Sequence, residues 1–261
     1  MIGCIITLFF LIMALFPQLF TDYSPTTIDS ANIMKPPSAL HWFGTDSFGR
    51  DLFARVIYST RIDIYIGIVA MIVPFVFGTA VGLIAGYYGG AVDSVIMRIV
   101  DIIMSFPYML LAITIVAVFG AGMNNMILSM WLVSWKGYCR LVRSEVIVVK
   151  NAEYVKAAKI MGYSDLRIIL RHILPNVISS AIVMGASDIV MCMLAGAAMS
   201  YLGLGVQSPT PEWGAIIAEG RPYIMMTWWT TVFPGAFMAV CGLGFSLIGD
   251  GISDLLRTKG H

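Results

Sequence analysis

The chain has 261 residues, 59% of them hydrophobic and 12% charged, with sixteen Lys and Arg against fifteen Asp and Glu and a mean hydropathy of +0.86. Soluble domains carry about 25% charge, so this composition excludes an ordinary soluble enzyme and describes an integral membrane protein. The net charge of +1 says little about partners, and the one basic cluster lies between apolar runs without a binding motif, which argues against nucleic acid.

Residues 1–20 hold an apolar run, Ile2 to Phe20, just long enough to cross a hydrocarbon layer roughly 30 Å thick, and are read as a first transmembrane helix. No Lys or Arg precedes the run and no small-residue cleavage site follows it, unlike a signal peptide. Residues 21–61 read as an extracytoplasmic loop made irregular by Pro25, Pro36 and Pro37. Within it, Leu52 to Tyr58 forms an interfacial helical turn, with Trp42, Phe43, Phe53 and Tyr58 suited to the headgroup layer. His41 beside acids is expected to make a loop hydrogen bond.

The second span covers 62–88 and is interrupted by Pro74. Gly78, Gly82 and Gly86 recur every four residues on one helix face, which permits close helix packing in lipid. Asp93, Arg98 and Asp101 mark a polar connection to a third span, 102–119, entered through Ser105-Phe106-Pro107. Further spans are expected at 123–135, 177–202 and 232–248, followed by a polar tail from Asp250. A polar, proline-containing segment, 204–227, joins the last two.

Residues 136–176 form the longest polar interval, with Lys136, Arg140, Arg143, Lys150, Lys156, Lys159, Arg167 and Arg171 against Glu145, Glu153 and Asp165. Glu153 to Met161 reads as a short helix, ended by Gly162 in a left-handed cap. Ser164 then caps a second helix that Pro175 stops. Six spans put both termini on one side. If that side is cytoplasmic, it collects Arg98, the loop cations, Arg257 and Lys259, against Lys35, Arg50, Arg55, Arg61 and Arg221 opposite. The bias favours both termini inside.

No G-x-x-x-x-G-K-[ST] phosphate loop and no H-E-x-x-H occur, so the chain has no ATP site of that kind. His41 and His172 fall in opposite compartments, which leaves an intramembrane hydrolase without a nucleophile–base pair. Cys4, Cys139, Cys192 and Cys241 are scattered packing residues. Asp188, an acid deep in an apolar span, either lines a polar path or makes a structural hydrogen bond through Ser187, Ser179 or a partner subunit.

Ala157-Ala158, Gly162 and Ile173-Leu174-Pro175 resemble the EAA motif of ATP-binding-cassette importer permeases. HWFGTDSFGRDLFARVIYSTR (41–61), GYYGGAVDSVIMR (86–98), SFPYMLLA (105–112), SYLGLGVQSPTPEWG (200–214) and Gly249-Asp250-Gly251 are similar to the second permease of dipeptide, oligopeptide and nickel importers. The resemblance covers nearly the whole chain. It implies an all-α integral membrane fold with the six transmembrane helices of a type I importer permease and a cytoplasmic coupling helix. It also implies a homologous second permease, two cytoplasmic ATPases that bind ATP and Mg, an extracytoplasmic substrate-binding protein, and a bacterial or archaeal plasma membrane. No cofactor is expected in this chain.

The same resemblance assigns ATPase coupling to Glu153, Tyr154, Lys156, Ala157, Ala158, Met161, Gly162, Arg171 and Pro175. Asp188, Met199 and Ser200 are expected along the translocation pathway. Gln207, Pro211, Glu212, Trp213 and Arg221 are expected at the outer gate and the binding-protein contact. Lys156 stands where the motif's Glu is usual, and the N-terminal extension common in this branch is missing, which implies a short form or a late start. Ala197 to Gly203 resembles the nickel and metal-chelate branch, so peptide and nickel both remain open as cargo. The eighteen methionines are expected to be packing residues. A stand-alone secondary transporter, with Asp188 as its ion-coupling acid, is the alternative.

Overall fold

The computed structural model describes residues 1–258, with side chains through Leu255; Lys259 and the side chain of Arg257, used in the charge count, lie outside the described residues. The chain is all-helical, with no strand among the described residues. Its helices are α1 (Ile2–Leu15), α2 (Leu52–Tyr88), α3 (Gly90–Met104), α4 (Tyr108–Phe119), α5 (Met123–Val149), α6 (Glu153–Ile160), α7 (Asp165–Ile168), α8 (Leu174–Tyr201), α9 (Trp213–Gly220) and α10 (Trp229–Thr258). A π-helical stretch, Ile169–Ile173, joins α7 to α8 without a break.

The centre of the fold is α2, 37 residues and about 55 Å long at 1.5 Å per residue. Its first turns, with Leu52, Val56 and Ile57, pack with α1, α9 and α10 around Trp213. Ile66 and Ala70 pack midway with α4, α5 and α8, and Leu83 packs at the far end with α5 to α8. Gly78, Gly82 and Gly86 do lie on one face and meet α5. A Cβ on Gly78 would stand 2.4 Å from the Trp135 carbonyl oxygen, and one on Gly82 2.6 Å from that of Cys139.

Several expected boundaries are corrected. Leu52 to Tyr58 is no separate interfacial helix but the start of α2, capped by Asp51, whose Oδ1 accepts from the Ala54 N–H at 2.7 Å. Hydropathy broke at charges that the fold satisfies inside. Nor does Pro74 interrupt α2; its ring is buried and the helix runs on. The expected span 102–119 is broken at Ser105-Phe106-Pro107, where α3 and α4 meet at 87°. Asp93, Arg98 and Asp101 sit on α3 rather than in a connection, and Arg143 and Arg140 of α5 pair with Asp93 and Asp101.

The span expected to end at Trp135 continues as α5 to Val149, so Lys136, Arg140 and Arg143 are helical, not loop, residues. Pro175 stops nothing. It occupies the first turn of α8, where its missing N–H is tolerated, and the widened π turn precedes it. The stretch expected as a polar tail from Asp250 belongs to α10.

Three helical stretches are long and apolar enough to cross a membrane, Leu52–Tyr88, Asp165–Tyr201 and Trp229–Leu255, or four if bent α3–α4 counts as one. The expectation was six. Alone, α1 has 14 residues where about 20 are needed, and α5, with its asparagines and cations, is too polar on average for an apolar window.

Candidate coupling and translocation sites

The short helix α6 forms where the sequence reading placed it, between α5 and the Gly162 turn. Glu153 in its first turn and Lys159 in its last complement the helix dipole. Gly162 takes φ +80°, a conformation glycine adopts freely, and the Tyr163 N–H returns to the Ala158 carbonyl at 3.2 Å. Ser164 occupies the N-cap of α7, but its hydroxyl accepts no capping hydrogen bond. Val155 and Ala158 anchor α6 to Ile168, Ile169 and Ile173. Tyr87 Oη donates to Asp165 Oδ1 at 2.6 Å, which ties the turn to the end of α2, and Lys150 Nζ donates to the Gly86 carbonyl at 2.7 Å, which ties the end of α5 to α2.

The outward face of this turn is apolar despite its charges. Ile160 is 87% exposed and Met161 64%, with Tyr154 and Leu166 beside them in sequence and also exposed. Glu153, Lys156, Ala157, Arg171 and Pro175 are exposed as well. Of the coupling residues expected from sequence, Ala158 alone is fully buried. It holds α6 in place and cannot offer its methyl to a partner without α6 detaching.

At the other end of α2 lies a buried ionic network that the sequence reading did not assemble. Arg50 donates from Nε to Asp46 at 2.6 Å and from Nη2 to Glu219 at 2.6 Å, while Arg55 Nη1 reaches Asp46 at 2.5 Å and Glu219 at 2.7 Å. Arg55 is wholly buried, and its Nε and Nη2 find no partner. His41 Nδ1 meets Asp51 Oδ2 at 2.8 Å, the loop hydrogen bond expected of it. Asp–x3–Arg–x4–Arg, the 46–50–55 spacing, was visible in the sequence; its partner Glu219, 164 residues beyond Arg55, was not.

The outer-gate residues divide. Gln207 and Arg221 are exposed, with the Arg221 guanidinium 5.6 Å from the Tyr201 ring centre. Pro211, Glu212 and Trp213 are buried, which corrects their expected place at a surface contact. Glu212 accepts from the Gly214 and Ala215 N–H groups at 3.0 and 2.7 Å, and Asp63 accepts from the Trp213 N–H at 3.2 Å. These carboxylates satisfy the donors that open α9 in an apolar interior. Gly214 allows that approach, since a Cβ there would lie 2.1 Å from the Ala197 oxygen.

A cavity of about 430 Å³ opens between α4, α5 and α8, lined among others by Tyr108, Ser134, Lys136, Met184, Asp188 and Met191. Asp188 is therefore at a cavity wall, with Tyr138 beside it rather than Ser187, whose hydroxyl turns to the Val183 carbonyl. Met199 and Ser200 are not at this wall. Both are buried, and Ser200 Oγ accepts from the Val206 N–H at 3.0 Å to fasten the loop after α8. Lys136 is the cavity residue the sequence reading assigned elsewhere. The buried face of α5 changes sides at mid-helix, from Met126, Met130 and Val133 to Cys139, Val142 and Val146, so no single apolar stripe marked the helix as continuous.

Residues 78–259 match the family model described as "Binding-protein-dependent transport system inner membrane component". The chain is 43% identical over 258 residues to the dipeptide transport system permease protein DppC of Alkalihalophilus pseudofirmus, covering 99% of this chain and 85% of that one. It is 37% identical to the oligopeptide transport system permease protein OppC of Bacillus subtilis, over 99% of this chain and 85% of that one. It is 41% identical to the glutathione transport system permease protein GsiD of Pectobacterium atrosepticum, over 88% of this chain and 77% of that one. A chain of the MetNI methionine ABC transporter, solved in inward-facing conformations, shares the fold at a TM-score of 0.57 and 15% identity, over 76% of this chain and 96% of that one. With most of its length inside the family model and a relative matched almost end to end, the chain belongs to the inner-membrane components of binding-protein-dependent transport systems.

Proposed function

We propose that this chain is the permease subunit of an ATP-driven importer of dipeptides or oligopeptides, glutathione included, and forms half of the translocation pathway with a homologous second permease. The relatives described above carry dipeptide, oligopeptide and glutathione names, which favours peptide over the nickel or metal-chelate cargo left open by the sequence. In this reading the chain has no ATPase site; two cytoplasmic ATPase subunits bind ATP and Mg, and an extracytoplasmic binding protein delivers the substrate. Six crossings are assigned to α1, α2, the broken pair α3–α4, α5, α7–α8 and α10, with both termini cytoplasmic. Segment 204–227 faces outside, where exposed Gln207 and Arg221 are offered to the binding protein.

The observation that carries the reading is α6: one face locked into the chain's own core through Val155 and Ala158, the other presenting exposed apolar side chains at Ile160 and Met161. Such a face asks for a partner, and an ATPase groove is the partner this family implies. The test is reconstitution with crosslinking. With ATPases, second permease and binding protein present, proteoliposomes take up peptide on ATP addition. Uptake by this chain alone on an ion gradient would establish the stand-alone carrier instead. Cysteines at Ala157 and Met161 crosslink to an ATPase subunit and one at Ala158 does not; crosslinking from Ala158 alone would refute the orientation of α6.

A further inference from the structure

Two side chains of opposite charge line one cavity at the middle of the bundle, and neither belongs to an ion pair. Lys136 stands midway along α5 and Asp188 midway along α8, so about 20 Å of helix extends to either side of each. Both line the cavity between α4, α5 and α8. Among the ion pairs of the described residues, neither side chain takes part. The Lys136 ammonium has the Tyr108 ring, 5.8 Å to its centre, and Asp188 has Tyr138 beside it. Ionisable groups at such depth are costly and persist where they serve a path or a ligand. An acid and a base that share a cavity without neutralising each other each lack a counter-ion, and a zwitterion brings both.

We propose that this cavity is a binding station for zwitterionic short peptides, in which Asp188 takes the α-ammonium group and Lys136 the C-terminal carboxylate. The proposal rests on the permease reading above and names what the permease itself recognises. Charge-assisted hydrogen bonds to the two termini fix the peptide backbone without reading its side chains. The remaining wall suits that task. Met109, Met184, Met191 and Leu194 offer flexible apolar surface that repacks around varied side chains. A volume of about 430 Å³ falls within the range of small-ligand sites. Met191 and Leu194 also reach the exposed surface of α8, so the cavity opens sideways from the chain, where a second permease can close it.

Alanyl-alanine, N-acetyl-alanyl-alanine and alanyl-alanine amide are compared in the complete reconstituted complex. Each variant is scored as its uptake relative to wild type for the same peptide, which cancels the selectivity of the binding protein. Asp188→Asn lowers uptake of alanyl-alanine about tenfold, the loss of one charge-assisted contact, and that of the N-acetyl peptide less than twofold. Lys136→Gln does the same for alanyl-alanine and spares the amide, while Lys136→Arg retains most uptake. A readout independent of the binding protein is maleimide labelling of Met191→Cys in the complex. Millimolar alanyl-alanine slows it severalfold, the singly capped peptides slow it less, and adding Asp188→Asn removes the protection. Uptake lowered by the same factor for all three peptides, or protection that ignores capping, overturns the binding station and leaves the permease reading standing. Absence of ATP-dependent uptake of any peptide by the wild-type complex instead sinks the permease reading, and this inference with it.

Discussion

The two ends of α2 solve opposite problems. At its start, charges are inside: Asp46, Arg50, Arg55 and Glu219 pair in the interior and join residues far apart in sequence. At its finish, apolar groups are outside: Ile160, Met161 and Leu166 face solvent around a short helix that is itself firmly anchored. The first end is closed within one chain, because Asp46 and Glu219 each meet Arg50 and Arg55, and Asp63 and Glu212 meet backbone N–H groups of α9. The second is complete only with something seated on it. In the proposed importer, a bundle finished at one end and unfinished at the other is suited to transmit force from a partner rather than generate it.

Four measurements break or sharpen that contrast. The largest effect belongs to the finished end. Arg55→Met leaves Asp46 and Glu219 to share Arg50 alone, with one buried negative charge uncompensated, and is expected to cost about 3–5 kcal/mol, read as a lowered unfolding midpoint in detergent; an unmoved midpoint would show that the network is not what closes this end. Next comes the joint between the ends. Gly78→Val drives side-chain atoms into the Trp135 carbonyl and is expected to cost about 1–3 kcal/mol, whereas Gly235→Ala, with nothing within 4 Å of the added Cβ, stays near wild type.

The unfinished end is expected to respond in coupling more than in stability. Gly162→Ala meets no neighbour but must hold φ +80°, a backbone cost of about 1 kcal/mol, and uptake should fall severalfold while ATP hydrolysis by the complex continues. Uptake and hydrolysis that fall together would assign Gly162 to assembly instead. The smallest effect is expected at the exposed Arg140–Asp101 pair, with both side chains about half exposed. Asp101→Asn should change stability by less than about 1 kcal/mol, and less still at high salt.

What the sequence disclosed follows the range over which each interaction acts. The glycine face of α2 and the α6–Gly162 turn are set by residues a few positions apart, and both stand where the spacing put them. Charge patterns misled wherever the partner was distant. Arg55 looked like a charge of an extracytoplasmic loop, because Glu219, which pairs with it, arrives from the other half of the chain. Lys136 looked like the edge of a loop, because α5 turns a different face to its neighbours above and below that residue. Trp213 and Glu212 looked like surface residues, since a polar proline-rich segment gives no local sign that the start of its short helix is buried.

The glycine joint also sets what kind of machine this is. With Gly78, Gly82 and Gly86 pressed on the α5 backbone, α2 and α5 have no side-chain layer between them on which to slide. They are built to move as one strut, in which Lys150 ties the end of α5 to the end of α2 and Tyr87 bolts the α6–α7 turn to it. A strut of about 55 Å tilted by about 5° carries its far end through about 5 Å. In the proposed importer, a small push at α6 would therefore reach the segment anchored by Arg55 and Glu219 without a chain of intermediates.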